Sequence, residues 1–396
     1  MKLNKIYKLA QICSKIGSGA TPKGGKESYL GGNTSLIRSQ NVIDFGFLYN
    51  GLALINDEQA HGLDNVTVMT GDVLLNITGD SVARCCKVPS NILPARVNQH
   101  VAIIRGDNNI VISDYILYYL QYKKPYLLSL SQGGATRNAL TKKMIEDIKI
   151  PLPSISEQRH IIDLLSSIDN KIELNRRIND NLEQQAQALF NSWFVDFEPW
   201  GGVMPDDWKE GSIYEIVDVI YGAPYKSNLF NEKKEGLPLI RIRDLKDYSP
   251  QYYTPEILPN TEFVCMGDVI AGMDAEFIPT LWMGNKGVLN QRCCKFKSKN
   301  PKFSNYYIMY LLKPELEFVQ SYKTGTTVSH LGKSDIDRFM VVIPSSDVIE
   351  DFSRKVEPLL SEKIKACKEM RILSSLRDTL LPKLMSGELK INDLNS

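Results

Sequence analysis

The chain has 396 residues, 43% of them hydrophobic, and a formal net charge of +1. This size and composition predict two or three domains with real cores. No apolar run reaches the ~20 residues that a membrane-spanning helix needs, and the N-terminus lacks an apolar signal core, so we predict a cytoplasmic protein with no membrane partner.

The N-terminal part of the chain alternates strand-like runs with Gly- and Asn-rich turns. A short apolar helix is predicted at 113–120. Because the βαβ alternation of a doubly wound sheet is missing, we predict an α+β domain with mixed, mainly β sheets and short helices. The predicted strands are Val66–Met69, Asp72–Ile77 and Val101–Arg105.

A long helix is predicted after this domain. Ser154 and Glu157 have the spacing of a capping box. The apolar residues that follow are spaced by four and three, as in a coiled coil, and no Gly or Pro interrupts residues 154–198. We therefore predict a helix over 155–190.

The second half of the chain repeats this organisation. Strand-like runs at 262–266 and 288–296 precede an apolar helix at 304–312 and a second long helix at roughly 346–385. Pro358 should kink the second long helix or delay its start, and Gly387 is a plausible terminator. Either long helix alone could be an ordinary core-facing helix, but their matching lengths favour antiparallel packing of one on the other.

Several short strings return in the same order with an offset near half the chain length, so we predict a duplicated, pseudo-twofold protein. Such a molecule suits duplex DNA, whose symmetry is also approximately twofold. The expected segments are a first domain at 1–152, a helical arm and linker at 153–200, a second domain at 201–345, and a second arm with a C-terminal tail at 346–396. The repeated strings are Leu36-Ile37-Arg38 with Leu239-Ile240-Arg241, Gly71-Asp72-Val73 with Gly267-Asp268-Val269, Asn98-Gln99 with Asn290-Gln291, Tyr115-Ile116 with Tyr307-Ile308, and Ile150-Pro151 with Ile343-Pro344.

Charge is distributed unevenly along these segments. Residues 1–152 hold 17 Lys and Arg against 11 Asp and Glu, and residues 153–200 hold 4 against 8. Residues 201–345 hold 17 against 18, and residues 346–396 hold 9 against 9. A nearly neutral domain can still bind phosphate through a local basic face, so this distribution permits a DNA partner without supporting one.

The seven cysteines are an odd number spread over a long chain, which favours reduced thiols over a disulfide framework. Two Arg-Cys-Cys-Lys strings, at 84–87 and 292–295, fall at different places in the repeat. Adjacent cysteines without a second Cys/His pair at zinc spacing are a weak metal pattern. We predict buried strand thiols and no metal site.

The chain resembles the specificity subunit of type I DNA restriction–modification systems over essentially its whole length. In the second domain the Thr-Pro of the opening string is missing, since the sequence there reads Ile220-Tyr221-Gly222-Ala223-Pro224, so its first loop departs from the pattern. The strings that carry the resemblance are Leu9-x-x-Ile12 with Gly17-Ser18-Gly19-Ala20-Thr21-Pro22, Ile150-Pro151-Leu152-Pro153 with Glu157-Gln158, Ser192-Trp193-Phe194-Val195-Asp196-Phe197-Glu198-Pro199, Pro205-x-x-Trp208, and Leu376-Arg377-Asp378-Thr379-Leu380-Leu381-Pro382-Lys383-Leu384 with Gly387.

The resemblance implies a DNA-binding subunit that performs no chemistry. Each domain would be a target-recognition domain for one half of a split double-stranded DNA sequence. The two arms would form a coiled coil that sets the gap between the halves and docks two methyltransferase subunits, and restriction subunits would join them. This chain would bind no cofactor, with S-adenosylmethionine, ATP and Mg expected on the partners.

Chemical motifs agree with a non-catalytic role. The chain has no Asn/Asp-Pro-Pro-aromatic string of an adenine methyltransferase, and Gly332-Lys333-Ser334 has Thr327 where a P-loop needs glycine. Asp206 with Glu232-Lys233-Lys234 resembles a metal-dependent nuclease pattern, but these residues are predicted in a linker and a solvated loop. The alternatives are a stand-alone nuclease or methyltransferase, and a two-lobed protein scaffold that binds no DNA.

DNA bases are usually read by Arg, Lys, Asn and Gln, with Ser and Thr on phosphates. Residues that differ between the repeats are better candidates for specificity, and matched residues for scaffold or phosphate contact; each could also be ordinary surface. The candidates are Arg38, Gln40, Asn41, Thr78, Arg84, Arg96, Gln99 and Arg137 in the first domain, and Lys226, Arg241, Arg243, Lys286, Gln291, Arg292 and Lys323 in the second. Candidates for partner binding, or equally for core, are Trp193, Phe194, Phe197, Leu380 and Leu384.

Overall fold

The computed structural model describes residues 5–22, 29, 31–132, 138–323 and 329–389. The chain divides into two compact units. Unit 1 comprises Met1–Ile172 with Ile372–Ser396, and unit 2 comprises Glu173–Arg371. Each unit therefore contains one globular body together with a segment of each long helix.

The body of unit 1 is built from short strands joined by tight turns and short helices, and it ends where the first long helix begins. In chain order its elements are β1 (Lys5–Lys8), α1 (Leu9–Ile12), β2 (Cys13–Ser18), β3 (Thr34–Ile37), β4 (Val42–Ile43), β5 (Gly46–Phe47), β6 (Ala53–Ile55), α2 (Asp57–His61), β7 (Thr67–Val68), β8 (Val73–Asn76), β9 (Cys85–Lys87), β10 (Ala95–Val97), β11 (Val101–Gly106), α3 (Ser113–Tyr122), α4 (Lys124–Ser131), α5 (Lys142–Glu146), β12 (Lys149–Leu152) and α6 (Ile155–Phe194).

The body of unit 2 follows the same plan and ends where the second long helix begins. Its elements are β13 (Lys209–Ser212), β14 (Val217–Tyr221), β15 (Leu237–Ile240), β16 (Tyr253–Thr254), β17 (Phe263–Val264), β18 (Val269–Gly272), β19 (Thr280–Leu281), β20 (Gly287–Leu289), β21 (Cys293–Ser298), α7 (Asn305–Lys323), α8 (Lys333–Ile336), β22 (Met340–Ile343) and α9 (Ser346–Ser386).

Strand order is the same in the two units. The sheet β6-β3-β10-β7 corresponds to β16-β15-β20-β17, the sheet β2-β11-β8-β9 to β14-β21-β18-β19, and the pair β1-β12 to β13-β22. A parallel strand pair also matches between the units, β3 with β10 and β15 with β20. The hairpin β4-β5 of unit 1 has no counterpart among the described residues of unit 2. The predicted α+β repeat of mainly β sheets is confirmed.

Two predicted elements of unit 2 have different bounds in the structure. The apolar run 288–296 is two strands, β20 and β21, in different sheets, because the chain turns at 290–292. The helix predicted at 304–312 continues through Pro314 as α7. Its buried face, which includes Leu316 and Val319, belongs to the core of unit 2. The free energy gained by burying this face therefore outweighs the loss of the backbone hydrogen bond that Pro314 cannot donate.

Both long helices are present. The predicted capping box opens α6, since the Ser154 amide donates to Glu157 Oε2 at 3.0 Å and the Glu157 amide donates to Ser154 Oγ at 3.3 Å. Of the two alternatives predicted for Pro358, a delayed start of α9 is wrong, since the helix begins at Ser346, and a kink stays a prediction. Val356 and Leu360 on either side are buried in the unit 2 core and hold the helix across the proline. Gly387, at φ +77°, follows its last residue as expected.

Within unit 2 the two helices pack antiparallel. Asn175 Nδ2 donates to Glu369 Oε2 at 2.7 Å, and Asn179 Nδ2 donates to Cys367 Sγ at 3.2 Å. The next contact is the ion pair between Glu183 and Lys363. As the residue number rises along α6, the number of its partner on α9 falls, so the two helices run in opposite directions. Within unit 1, Arg377 Nη1 of α9 lies 3.0 Å from Asp169 Oδ1 of α6. The antiparallel prediction is confirmed.

The paired cysteines are buried, as predicted. Cys85 and Cys86 lie on β9, whereas Cys293 and Cys294 lie on β21, which corresponds to β11. Burial raises the pKa of the Cys294 thiol to about 12 and holds the pKa of the Cys85 thiol well above its ordinary value, so both are protonated at neutral pH. In the described ranges no three His, Cys, Asp or Glu side chains come together as a metal site, and no helix there is long and apolar enough to cross a bilayer.

Candidate nucleic-acid interface

Three segments of unit 1 meet beside the turn that joins β10 to β11. Three backbone hydrogen bonds hold them together: Ile77 N–H to His100 O at 3.0 Å, Gly79 N–H to Asn138 O at 3.0 Å, and Leu140 N–H to Ile77 O at 2.8 Å. We call this arrangement the turn cluster. It comprises residues 77–79, 98–100 and 138–140.

Unit 2 contains the same turn cluster, at residues 273–275, 290–292 and 329–331. The three matching bonds run from Met273 N–H to Arg292 O at 2.9 Å, from Ala275 N–H to Ser329 O at 3.1 Å, and from Leu331 N–H to Met273 O at 2.7 Å. These bonds make position 78 equivalent to 274, position 100 to 292, and position 139 to 330.

A matched asparagine shapes the β-turn in each cluster. Asn98 Oδ1 accepts the His100 amide at 3.0 Å, and Asn290 Oδ1 accepts the Arg292 amide at 3.3 Å. The backbone N–H groups of Asn98 and Asn290 donate to Ile37 O and to Ile240 O, both at 3.0 Å. Because both asparagines are nearly buried and their bonds match, they belong to the frame of the cluster.

A matched glycine lets another strand approach this turn. A Cβ on Gly19 would lie 1.7 Å from Val97 O, and a Cβ on Gly222 would lie 2.1 Å from Asn290 O. Only glycine fits such an approach. The opening string of the second domain therefore keeps this glycine. It differs two and three residues later, where Thr21-Pro22 is replaced by Pro224-Tyr225.

The side chains mounted on this frame differ between the units. In unit 1 they form a hydrogen-bonded chain of hydroxyl, imidazole and amide groups. Thr78 Oγ1 lies 2.6 Å from His100 Nδ1, and His100 Nε2 lies 3.1 Å from Gln99 Nε2. The Thr21 hydroxyl donates to Gln99 Oε1 and completes the chain.

In unit 2 the equivalent side chains are charged or ionisable. His330 Nδ1 lies 2.7 Å from Asp274 Oδ1, and Arg292 Nη1 lies 3.4 Å from Asp274 Oδ2. The Arg292 side chain is 57% exposed, whereas that of Asp274 is 22% exposed. The carboxylate is therefore placed to orient a guanidinium that still faces solvent.

The matched arginines have structural contacts. The amides of Arg38 and Arg241 donate to Asn41 Oδ1 at 3.0 Å and to Asp244 Oδ2 at 2.9 Å. The Arg38 guanidinium lies 5.6 Å from the Tyr29 ring and bonds Gly51 O, and that of Arg241 lies 4.3 Å from the Tyr252 ring. These contacts support the interpretation of matched residues as framework. Asn41 is fully buried and its amide bonds Leu48 O at 2.9 Å.

Two more candidates have partners that account for their charge. Arg96 is 9% exposed, donates to Ala60 O at 3.1 Å and pairs with Asp64 at 2.7 Å. Lys323 bonds Asp335 at 2.6 Å and His330 O at 2.7 Å. Either side chain would have to break these contacts to reach a base.

The other DNA candidates lie at the surface or outside the described residues. The Lys226 amide bonds Glu256 at 2.8 Å, and the Lys286 ammonium lies 4.7 Å from the Phe263 ring. Arg137 lies outside the described residues. The remaining exposed candidates are Gln40, Arg84, Gln99, Arg243, Gln291 and Arg292.

The structure adds residues that the sequence reasoning did not nominate. Thr21, His100, Asp274 and His330 all contribute side chains to a turn cluster or contact one. His100 had a usable sequence signal, because it follows the repeated Asn-Gln as Arg292 does. Asp274 and His330 had none, since only strand pairing brings positions 56 residues apart into contact.

The partner-binding candidates of the first arm form an aromatic cluster in unit 2. Phe194 and Phe352 have ring centroids 5.0 Å apart, and Phe197 and Trp208 have centroids 5.7 Å apart. Trp193 is partly exposed at the margin of this cluster. In unit 1, Leu384 is buried in the core and Leu380 is partly buried against it. A direct partner contact through Leu384 would require that core to open.

Known proteins are similar to this chain in sequence and in fold. The family model for the type I restriction modification DNA specificity domain matches residues 1–184 and 205–357. The MjaIX specificity subunit of Methanocaldococcus jannaschii is 27% identical over 98% of this chain and 94% of its own length. The HindI specificity subunit of Haemophilus influenzae is 21% identical over 90% and 94%.

A solved structure has the same fold. The crystal structure of a type I restriction–modification S subunit from M. genitalium aligns with a TM-score of 0.56 and 15% identity, over 97% of this chain and 96% of that one. The matched family model covers most of both bodies, and the two bodies share one strand order. The chain therefore belongs to the family of type I restriction–modification specificity subunits and carries two recognition domains.

Proposed function

We propose that the body of each unit reads one half of a bipartite double-stranded DNA sequence, with the bodies at 1–152 and 201–345 as the two reading domains. The observation that carries this proposal is the pair of turn clusters. A frame of matched backbone bonds holds different side chains: a threonine and a histidine in unit 1, and an aspartate with an arginine in unit 2. Two unlike half-sites require this combination of a shared frame and variable donors and acceptors.

The chemistry in this proposal belongs to partner subunits. The arms at 153–200 and 346–396 dock two methyltransferase subunits, and restriction subunits join the complex. S-adenosylmethionine, ATP and Mg bind those partners, and this chain binds no cofactor. The complex acts in the cytoplasm, where it reaches host DNA.

The margin of the aromatic cluster is the surface we propose for one methyltransferase. Trp193 is partly exposed there, Lys355 lies 5.8 Å from its ring, and Val195 and Val203, which follow it in the chain, are exposed. Exposed apolar side chains beside a rigid aromatic core are typical of a protein interface. Since Phe194 also packs in the core, a test variant should change Val195 or Val203 rather than the rings.

Mapping methylated adenines in the host genome, with and without this gene, tests the proposal. We expect a split motif, methylated in both halves, whose methylation disappears when the gene is deleted. Footprinting the chain with its methyltransferase should protect two blocks about one helical turn apart. An unchanged methylation pattern, a single protected block, or methylation by the chain without partners would contradict it.

A further inference from the structure

We propose that Arg292, oriented by Asp274, reads a guanine in the half-site that unit 2 recognises. This inference rests on the proposed function and specifies it, because it assigns one base to one side chain. The argument uses the backbone of Arg292, the contacts of its guanidinium, and the side chains at the equivalent positions of unit 1.

The backbone of Arg292 is fixed at both of its polar groups. Its amide donates to Asn290 Oδ1 at 3.3 Å, and its carbonyl accepts the Met273 amide at 2.9 Å. Asn290 is itself held by its bond to Ile240 O. The arginine side chain therefore starts from a rigid point, as a base-reading residue requires.

The guanidinium is held on one side and open on the other. Asp274 contacts Nη1 with one carboxylate oxygen, while its second oxygen is engaged by His330. With the side chain 57% exposed, the Nε–Nη2 edge can reach a ligand. Two parallel donors on a planar fork match the O6 and N7 acceptors of guanine in the major groove.

The carboxylate also favours a base over a phosphate. Asp274 lies 3.4 Å from the guanidinium and offsets much of its positive charge. A phosphate contact gains from net positive charge, and a carboxylate beside the arginine opposes that gain. A guanine edge carries no net charge, so the carboxylate of Asp274 weakens the attraction between Arg292 and guanine only slightly.

Unit 1 lacks this arrangement. The equivalents of Asp274 and Arg292 are Thr78 and His100, which contact each other at 2.6 Å. An imidazole has no planar fork of two parallel donors. The guanine preference should therefore belong to one half-site alone, and the other half-site serves as an internal control.

The test uses the full chain assembled with its methyltransferase and a DNA library randomised at both half-sites. Arg292→Gln should lower the preference for guanine at one position of one half-site by about 5- to 150-fold. The opposite half-site should keep its preference, which shows that the complex is folded. Arg292→Lys should cause a smaller loss, because the ammonium can still donate to O6 and N7 but lacks the planar fork.

Two further variants test the role of Asp274 and provide a control. Asp274→Asn keeps the size of the side chain and removes the charge, so it should weaken the guanine preference and steepen the dependence of binding on salt. Arg338→Gln is the matched control, since Arg338 is an exposed arginine of unit 2 outside the turn cluster. It should leave both half-sites unchanged.

The contrary outcomes are distinct. If Arg292→Gln weakens binding equally for all sequences, Arg292 contacts phosphate and the inference is wrong while the proposed function stands. An unaltered preference in both half-sites also overturns the inference. If the wild-type complex selects no split sequence at all, the proposed function itself fails.

Discussion

In unit 1 the turn cluster places a threonine beside a histidine, whereas in unit 2 the equivalent positions place an aspartate between an arginine and a histidine. The three backbone hydrogen bonds that define the cluster agree to within 0.1 Å between the two units. Duplication has therefore preserved the frame while the exposed side chains changed. Recognition can diverge in this way without altering the fold, because the frame bonds involve main chain and a buried asparagine.

The largest expected effect compares two matched aspartates, Asp72 and Asp268. Each accepts a backbone amide three residues earlier at 2.7 Å. Asp72 is fully buried and pairs with Arg105, whereas Asp268 is 22% exposed and pairs with Lys295. Asp72→Ala should destabilise unit 1 by about 3–5 kcal/mol, because it leaves a largely buried charge unpaired.

Asp268→Ala should destabilise unit 2 by less, about 1–3 kcal/mol, because Lys295 keeps a second carboxylate partner, Glu262 Oε1 at 2.8 Å. All four tryptophans lie in unit 2, so urea unfolding followed by tryptophan fluorescence reports that unit. Hydrogen exchange of peptides from residues 31–132 reports unit 1. Equal losses in the two units would contradict the view that Lys295 is protected by its second carboxylate partner.

A smaller effect is expected at Gly19, the glycine that allows a strand to lie close to the turn. Gly19→Ala should destabilise unit 1 by about 1–3 kcal/mol, because the added Cβ would overlap Val97 O. Gly17→Ala is the matched control two residues earlier, where a Cβ meets its nearest neighbour at 3.8 Å. Hydrogen exchange in unit 1 should rise for the first variant only. Similar exchange for both would show that the approach at Gly19 is not a constraint.

The smallest effect is a pH dependence that arises from Asp335 in unit 2. Burial raises the pKa of Asp335, but bonds from Lys323 and the Gly332 amide outweigh it and lower the pKa below its ordinary value. The equivalent residue of unit 1, at the same place in α5, is Met144. A carboxylate with a lowered pKa stabilises the fold above its unfolded pKa, and this contribution is lost as pH falls through the folded pKa.

Wild-type unit 2 should therefore lose stability as the pH falls below about 4, relative to an Asp335→Asn variant. Urea unfolding of both proteins at pH 7 and pH 3, followed by tryptophan fluorescence, measures the difference. The wild type should be the more stable at pH 7, and the gap should narrow at pH 3. A gap that is constant or widens in acid would contradict the sign of the shift.

Much of the fold was predictable from local sequence. Repeated strings indicated the duplication, the Ser154–Glu157 spacing marked the start of α6, and the apolar spacing indicated both long helices. The errors came where tertiary contacts outweigh local preference. Pro358 lies inside α9 because neighbouring side chains are buried, and the run at 288–296 turns between two sheets.

The candidate site was predictable only in part. Arg292 was nominated by its residue type, and His100 could have been nominated by its position in the repeat. Asp274 and His330 were not accessible to the same reasoning, because their contact depends on strand pairing over a long separation. Arg96 was nominated by its residue type alone, and only the structure shows its bonds to Ala60 and Asp64.

Transplanting the unit 2 side chains onto the unit 1 frame tests the central claim most directly. The triple variant Thr78→Asp, His100→Arg, Ala139→His gives unit 1 the side chains that unit 2 carries at these equivalent positions. Assembled with its methyltransferase and given the randomised library, it should gain a guanine preference of about 5-fold or more in the unit 1 half-site, with the unit 2 half-site unchanged. Two half-sites identical to those of the wild type would contradict the claim that these side chains, on a shared frame, choose the bases.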